Sequence, residues 1–178
     1  MAFNTAETSF DPARINDIYS STVCAHIFEG LYAYDHLARP VKVVPLLAAA
    51  MPDVSADFKE WTVRVRPGIR FQDDPAFKGV KRELVAADYV YSVKRHYDPR
   101  WKSGNLYVLE NAKILGLSEL RKQVIAEKKP FDYDREVEGL RTLDRYTFQV
   151  RLAEPNPRFL YNFADGSLTG ALAREVVE

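Results

Sequence analysis

The stretch Glu60-Trp61-Thr62-Val63-Arg64-Val65-Arg66-Pro67-Gly68-Ile69-Arg70-Phe71 decides how this chain is read. Trp61, Val63 and Val65 alternate with Thr62, Arg64 and Arg66. Successive side chains of a strand point to opposite faces, so the alternation predicts a half-buried antiparallel strand over residues 60–66. Pro67-Gly68 breaks it with a turn, and Ile69 and Phe71 resume it briefly. A second run of this kind lies near the far end. There Phe148, Val150 and Leu152 alternate with Thr147, Gln149 and Arg151, which predicts a strand over 146–152 that Pro155 and Pro157 end.

Helical patterns surround these strands. Tyr19, Val23, Ile27 and Leu31 recur every fourth residue, which predicts a helix over 17–31, with Asp17 or Ser20 as its cap and Gly30 near its end. Residues 31–34 read as extended, Asp35-His36 as a turn, and Val41, Val43 and Val44 as a short strand ending at Pro45. Residues 46–51 form a small apolar segment closed by Pro52, and 73–84 a polar loop. A second helix is expected over 86–97, with Val90, Val93 and Tyr97 on its inner face and Asp98-Pro99 stopping it. A third helical region spans 106–127 with a break near Gly116, residues 128–135 are charged and turn-like, and Phe159 to Phe163 begin a further apolar segment. Strands and helices in no strict βαβ order give an α+β class with a small, antiparallel-rich sheet.

Composition narrows the function. The chain has 178 residues, 47% apolar and 28% charged, enough for one ordinary domain or two small ones with a core that needs no metal or disulfide. Acidic and basic residues balance at 25 each, so no global field attracts nucleic acid or an anionic membrane. No run approaches the roughly 20 apolar residues of a membrane span. Met1 is followed by Ala-Phe-Asn-Thr-Ala-Glu, with no basic n-region and no apolar core, so no leader peptide is expected within these residues.

Sites of covalent chemistry are hard to find. The sequence has no glycine-rich dinucleotide loop, no Walker loop and no GxSxG elbow. His26, His36 and His96 lack zinc spacing, and His26 is expected to play a packing role within the first helix. Cys24, the single cysteine, sits in an apolar helical pattern and is expected to be buried and inert. Asp73-Asp74 is the only adjacent carboxylate pair; a hydrolase using either one is the enzymatic alternative, and a solvated loop is the simpler reading. Tyr107 follows the polar break Ser103-Gly104-Asn105 and could be core or the wall of a ligand pocket.

The order of short motifs carries more than any one of them. Ser9-Phe10-Asp11-Pro12 resembles a Leu-Asp-Pro motif, Ile27-Phe28-Glu29-Gly30-Leu31 a Phe-Glu-Gly-Leu, and Pro45-Leu46-Leu47-Ala48 a Pro-x-Leu-Ala. The stretch 61–71 resembles aromatic-Thr-Phe-x-Leu-Arg-x-Gly-x-x-Phe, and Ala87-Asp88-Tyr89-Val90-Tyr91-Ser92-Val93-Lys94-Arg95 resembles Ala-x-Asp-Val-x-Tyr-Ser-x-x-Arg. Val137-Glu138-Gly139-Leu140, Leu143-Asp144 and Leu152-Ala153-Glu154-Pro155 resemble a closing hairpin. In this order and near this spacing they resemble the family 5 extracellular solute-binding proteins, the dipeptide/oligopeptide class that serves ABC transporters. Four departures stand out: Asp74 replaces a glycine, residues 75–83 are an insertion, Met51 replaces a tryptophan, and Val85 replaces a threonine cap worth roughly 1 kcal/mol.

The resemblance implies the first part of a two-lobed type II periplasmic-binding-protein fold. Residues 1–29 and 156–178 would belong to the first lobe, and 30–155 to a small domain inserted in it. It implies a monomeric periplasmic protein without cofactor or catalytic residue. Such a protein captures a peptide or related small solute by hinge closure and presents it to the ABC-transporter permease. Site residues carried over are Asn16, Asp17 and Ile18 after the Asp-Pro motif, and Tyr107 as the aromatic after the second helix. For Asn16 and Asp17, helix capping stands equally beside ligand contact. A ligand-sensing domain of a cytoplasmic regulator is the other alternative.

Overall fold

The computed structural model describes residues 6–178; residues 1–5, which the resemblance assigns to the first lobe, lie outside the described residues. A turn of 3-10 helix at Pro12–Arg14 leads to helix α1 (Ile18–Ile27). Strands β1 (Tyr32–Asp35), β2 (Lys42–Pro45), β3 (Asp53–Val54) and β4 (Glu60–Arg64) follow. Helices α2 (Ala86–Tyr97), α3 (Leu106–Asn111) and α4 (Leu117–Glu127) come next, then β5 (Leu140–Thr142) and β6 (Thr147–Arg151). The chain finishes with a 3-10 segment at Phe159–Ala164 and the short helices α5 (Gly166–Thr169) and α6 (Arg174–Val177).

The two alternating runs become neighbours. β1 and β2 form a two-stranded hairpin, while the larger sheet is antiparallel in the order β3-β4-β6-β5. Register pairs Trp61 with Val150 and Val63 with Phe148, so the apolar faces of β4 and β6 coincide. All four side chains are buried. On the opposite face Thr62 lies across from Gln149, whose amide donates to Glu60 Oε1 at 3.0 Å. A one-residue slip would send every buried side chain to the wet face, so the pattern fixes the register.

Helix α2 packs on the apolar face of the sheet. Tyr89 stacks on Phe148 with ring centroids 5.9 Å apart. Phe163 meets the edge of Phe148 at 5.6 Å, Phe159 meets Phe163 at 5.5 Å, and Trp61 lies 5.6 Å from Phe159. These rings clamp the segment Phe159–Ala164 to the sheet. A buried phenylalanine contributes about 1.5–3 kcal/mol through its area alone.

The sequence expectations meet the structure unevenly. Helix α2 falls where the spacing puts it, yet not only Val90, Val93 and Tyr97 are buried: Asp88, Lys94, Arg95 and His96 are buried too. Helix α1 stops four residues short of Leu31, because Phe28 turns extended while its N–H still bonds Cys24 O at 2.8 Å. Gly30 lets the chain pass close to the clamp; a Cβ there would lie 2.9 Å from Phe163 O. The buried face of α1 is Ser20 and Cys24, while Ile27 is exposed. His26 is likewise exposed, with Nδ1 2.8 Å from Thr22 O, so its expected packing role is not observed. Cys24 is buried as expected, and burial pushes its thiol up to about 11. Strands β3 and β5 are too short to leave a periodicity.

The insertion packs rather than dangles. Asp74 accepts from Ala76 N–H at 2.8 Å and caps a turn of 3-10 helix, Pro75–Phe77, which places Phe77 against Phe71 at 6.3 Å. The side-chain cap that threonine would give α2 is absent, and the reciprocal bond remains: Asp88 Oδ2 accepts from Val85 N–H at 2.8 Å. No helix among the described residues is long and apolar enough to cross a membrane.

Candidate functional site

The segment after the Asp-Pro motif is held from both ends. Asp11 Oδ1 accepts from Ala13 N–H at 3.0 Å and sets the 3-10 turn Pro12–Arg14. The same carboxylate receives both terminal nitrogens of Arg95, at 2.5 and 2.7 Å. Arg95 is fully buried, and its guanidinium lies 4.8 Å over the Trp101 ring. A bidentate Arg–carboxylate pair fixes orientation as well as distance. It ties residue 11 to the last turn of α2 across 84 positions of sequence.

Asp17 holds the other end. Its Oδ1 accepts from Ser20 N–H at 2.8 Å and its Oδ2 from Ser20 Oγ at 2.7 Å, which caps α1; Thr8 Oγ1 also donates to it. The Ser20 backbone bond, then the Thr8 and Ser20 hydroxyls, hold its carboxyl down to about 2. The side chain of Asp17 is thus a helix cap, one of the two roles left open by the sequence.

Between these anchors the backbone is extended at Ile15 and at Asp17. Ile15 has φ −67° and ψ 128°, and Asp17 has φ −141° and ψ 159°. The Ile15 side chain is buried, whereas Asn16 and Ile18 are exposed. Asn16 Nδ2 donates to Arg14 O at 3.1 Å. Among the described residues, the backbone N–H and C=O of Asn16 bond to nothing, and the residue as a whole is exposed. Free, extended, exposed backbone is what an added strand requires.

The loop that follows α2 seals one side of this edge. His96 is fully buried, with Nε2 2.8 Å from Leu168 O and Nδ1 2.8 Å from Ser103 Oγ. A carbonyl can only accept, so Nε2 carries the proton and Nδ1 accepts from Ser103. Burial pulls the imidazole down to about 4, which keeps it neutral. Ser103 in turn places Gly104 against Asn16: a Cβ on Gly104 would lie 2.3 Å from Asn16 Oδ1. Tyr107 follows on the first turn of α3, 64% exposed. The structure therefore brings the loop before Tyr107 against Asn16. Sequence reasoning missed Asp11, Arg95, Trp101, Ser103 and Gly104. The only signal available was that Asp11 and Arg95 stand in separate motifs of the same set.

Asp73 and Asp74 do not converge. Asp73 pairs with Lys81, and Asp74 is occupied by its cap.

An α+β body that presents free backbone at a rim braced by a buried ion pair has the makings of a ligand-binding lobe. The family model described as "Bacterial extracellular solute-binding proteins, family 5 Middle" matches residues 42–169. The chain belongs to this family. It is 32% identical over 151 residues to the periplasmic oligopeptide-binding protein OppA of Salmonella typhimurium, covering 85% of this chain and 24% of that one. It is 29% identical over 157 residues to the dipeptide-binding protein of Lactococcus lactis, covering 88% and 25%. Among solved structures, Haemophilus influenzae OppA in complex with RPPGFSPFR superimposes with a TM-score of 0.74 at 26% identity, covering 97% of this chain and 30% of that one. The chain spans about a quarter of the length of the curated relatives it matches.

Proposed function

We propose that the protein to which this chain contributes captures peptides in the periplasm and hands them to an ABC-transporter permease, without making or breaking a bond. The observation that carries this is exposed Asn16, whose backbone bonds to nothing among the described residues and which lies between extended Ile15 and Asp17, in a chain whose relatives are named as peptide-binding proteins. A peptide laid along residues 15–17 would bond through main chain, which tolerates many side-chain sequences. Asn16 would add its amide, Ile18 an apolar contact and Tyr107 a ring. Asp17 would serve through its backbone, since its carboxylate is spent on Ser20 and Thr8.

The domain division belongs to this reading as well. Residues 1–29 and 156–178 would form part of one lobe and 30–155 a smaller inserted domain; the whole larger sheet lies inside the latter span, which supports the division. Capture would then proceed by closure of a facing lobe, because ligand that contacts both lobes stabilises the closed form.

Calorimetric titration of the full-length protein with RPPGFSPFR and with STSA, the peptide in complex with Helicobacter pylori DppA, tests the proposal. Micromolar or tighter binding of either is expected. The 178-residue chain alone should bind both far more weakly, because half of the contacts would be missing. Equal affinity for the chain alone, or no binding to the full protein, would overturn it.

A further inference from the structure

Gly104 is exposed, and its φ lies outside the left-handed region. Nothing in its own backbone requires glycine. The obstacle is contact alone. A Cβ would fall 2.3 Å from Asn16 Oδ1, 3.3 Å from Asn16 Cγ and 3.0 Å from Ile15 O.

Neither side of this contact can retreat easily. The Gly104 loop is anchored by Ser103 to buried His96, and Ser103 Oγ also receives Asn105 N–H at 3.3 Å. The segment 15–16 is anchored by the buried Ile15 side chain, by the Asp11–Arg95 pair on one side and by the Asp17 cap on the other. The Asn16 side chain is the one movable part. A Cβ at 104 would rotate its amide away from Arg14 O and so re-aim the group offered at the rim.

We propose that Gly104 is a positioning residue for peptide capture, acting through Asn16: the missing Cβ leaves room for the Asn16 amide in the orientation that meets ligand. This rests on the peptide-binding reading and on Asn16 as a contact. A double-mutant cycle in the full-length protein tests it, with Gly104→Ala, Asn16→Ala and the pair titrated against RPPGFSPFR and STSA. Gly104→Ala should weaken binding about tenfold, the loss of roughly one good hydrogen bond. In the Asn16→Ala background it should cost nothing more. Unchanged affinity or an equal loss in both backgrounds would overturn the proposal. If the parent protein binds neither peptide, the functional reading fails separately. The positioning claim is then read from the Asn16 side-chain amide resonances. A shift in Gly104→Ala supports it and unmoved resonances sink it.

Discussion

The sheet and the C-terminal end of α2 solve opposite problems. In the sheet, β4 and β6 bury Trp61, Val63, Phe148 and Val150 on one face and keep Thr62 and Gln149 on the other. Burial there needs only size and shape. At the end of α2, Lys94, Arg95 and His96 are buried in succession. Each must find a partner, because an unpaired buried polar group costs about 1–3 kcal/mol and an unpaired charge more. Lys94 donates to Tyr133 O and Arg135 O, both at 2.8 Å, and burial draws its ammonium pKa down. Arg95 takes Asp11, and His96 takes Ser103 and Leu168. Apolar contact builds the scaffold, and obligatory polar pairing determines where the loops around it come to rest. The rim is made of those loops.

The sharpest way to break the scaffold side is Phe148→Ala. Phe148 is fully buried and touches Tyr89 and Phe163, so the deletion should cost about 3–5 kcal/mol in urea unfolding of the chain. A loss below about 1 kcal/mol would mean that the aromatic clamp is not the core. On the polar side, Asp11→Ala leaves Arg95 charged and buried without its carboxylate partner, against the Trp101 ring. About 3 kcal/mol should be lost, and the bonded amides of Ala13 and Arg14 should become fast in hydrogen exchange. Stability falling while those amides stay protected would separate the pair from the rim.

This contrast also explains what the sequence made legible. Alternation reported the β4 and β6 faces because a half-buried strand writes its environment into every second residue. The span of α2 was equally plain from its Val and Tyr spacing and from Asp98-Pro99. The one-face reading of α2 was incomplete because Asp88, Lys94, Arg95 and His96 look like a wet face until their partners are known, and those partners lie 6 to 84 positions away. The end of α1 was missed for a similar reason, since the contact at Gly30 that diverts the chain comes from Phe163. Of the site, Asn16, Asp17, Ile18 and Tyr107 came from motif order. The brace behind them is a product of packing, which one-dimensional spacing does not record.

A third test uses pH. The folded imidazole of His96 is held near 4 against 6.5 for an unhindered histidine. Between those values the unfolded chain binds more protons than the folded one, so stability rises with pH through this window. It is complete above about 6.5 and lost as pH falls toward 4, by roughly 3 kcal/mol. Asp17 and Glu83, both held down to about 2, lose their contributions as pH falls through the ordinary carboxylate range, and buried Asp88, whose carboxyl burial pushes up, contributes with the opposite sign, so the difference between parent and His96 variant isolates the histidine share. His96→Gln, which keeps a donor toward Leu168 O, should flatten the unfolding free energy across that window. An unchanged slope would assign it elsewhere.

The smallest effect sharpens the comparison most, because it repeats the chemistry of Asp11–Arg95 in water. Asp73 and Lys81 form an ion pair whose side chains are 70% and 58% exposed, against 23% and 0% for Asp11 and Arg95. An exposed pair gains little Coulomb energy and gives up side-chain freedom, so Asp73→Ala should cost less than about 1 kcal/mol and nothing measurable in high salt. It should also leave peptide affinity untouched, since the insertion is held by Phe77 and the Asp74 cap rather than by this pair. If Asp73→Ala instead matched Asp11→Ala in unfolding free energy, burial would not be what separates the two pairs, and the account of the braced rim would have to be rebuilt on another cause.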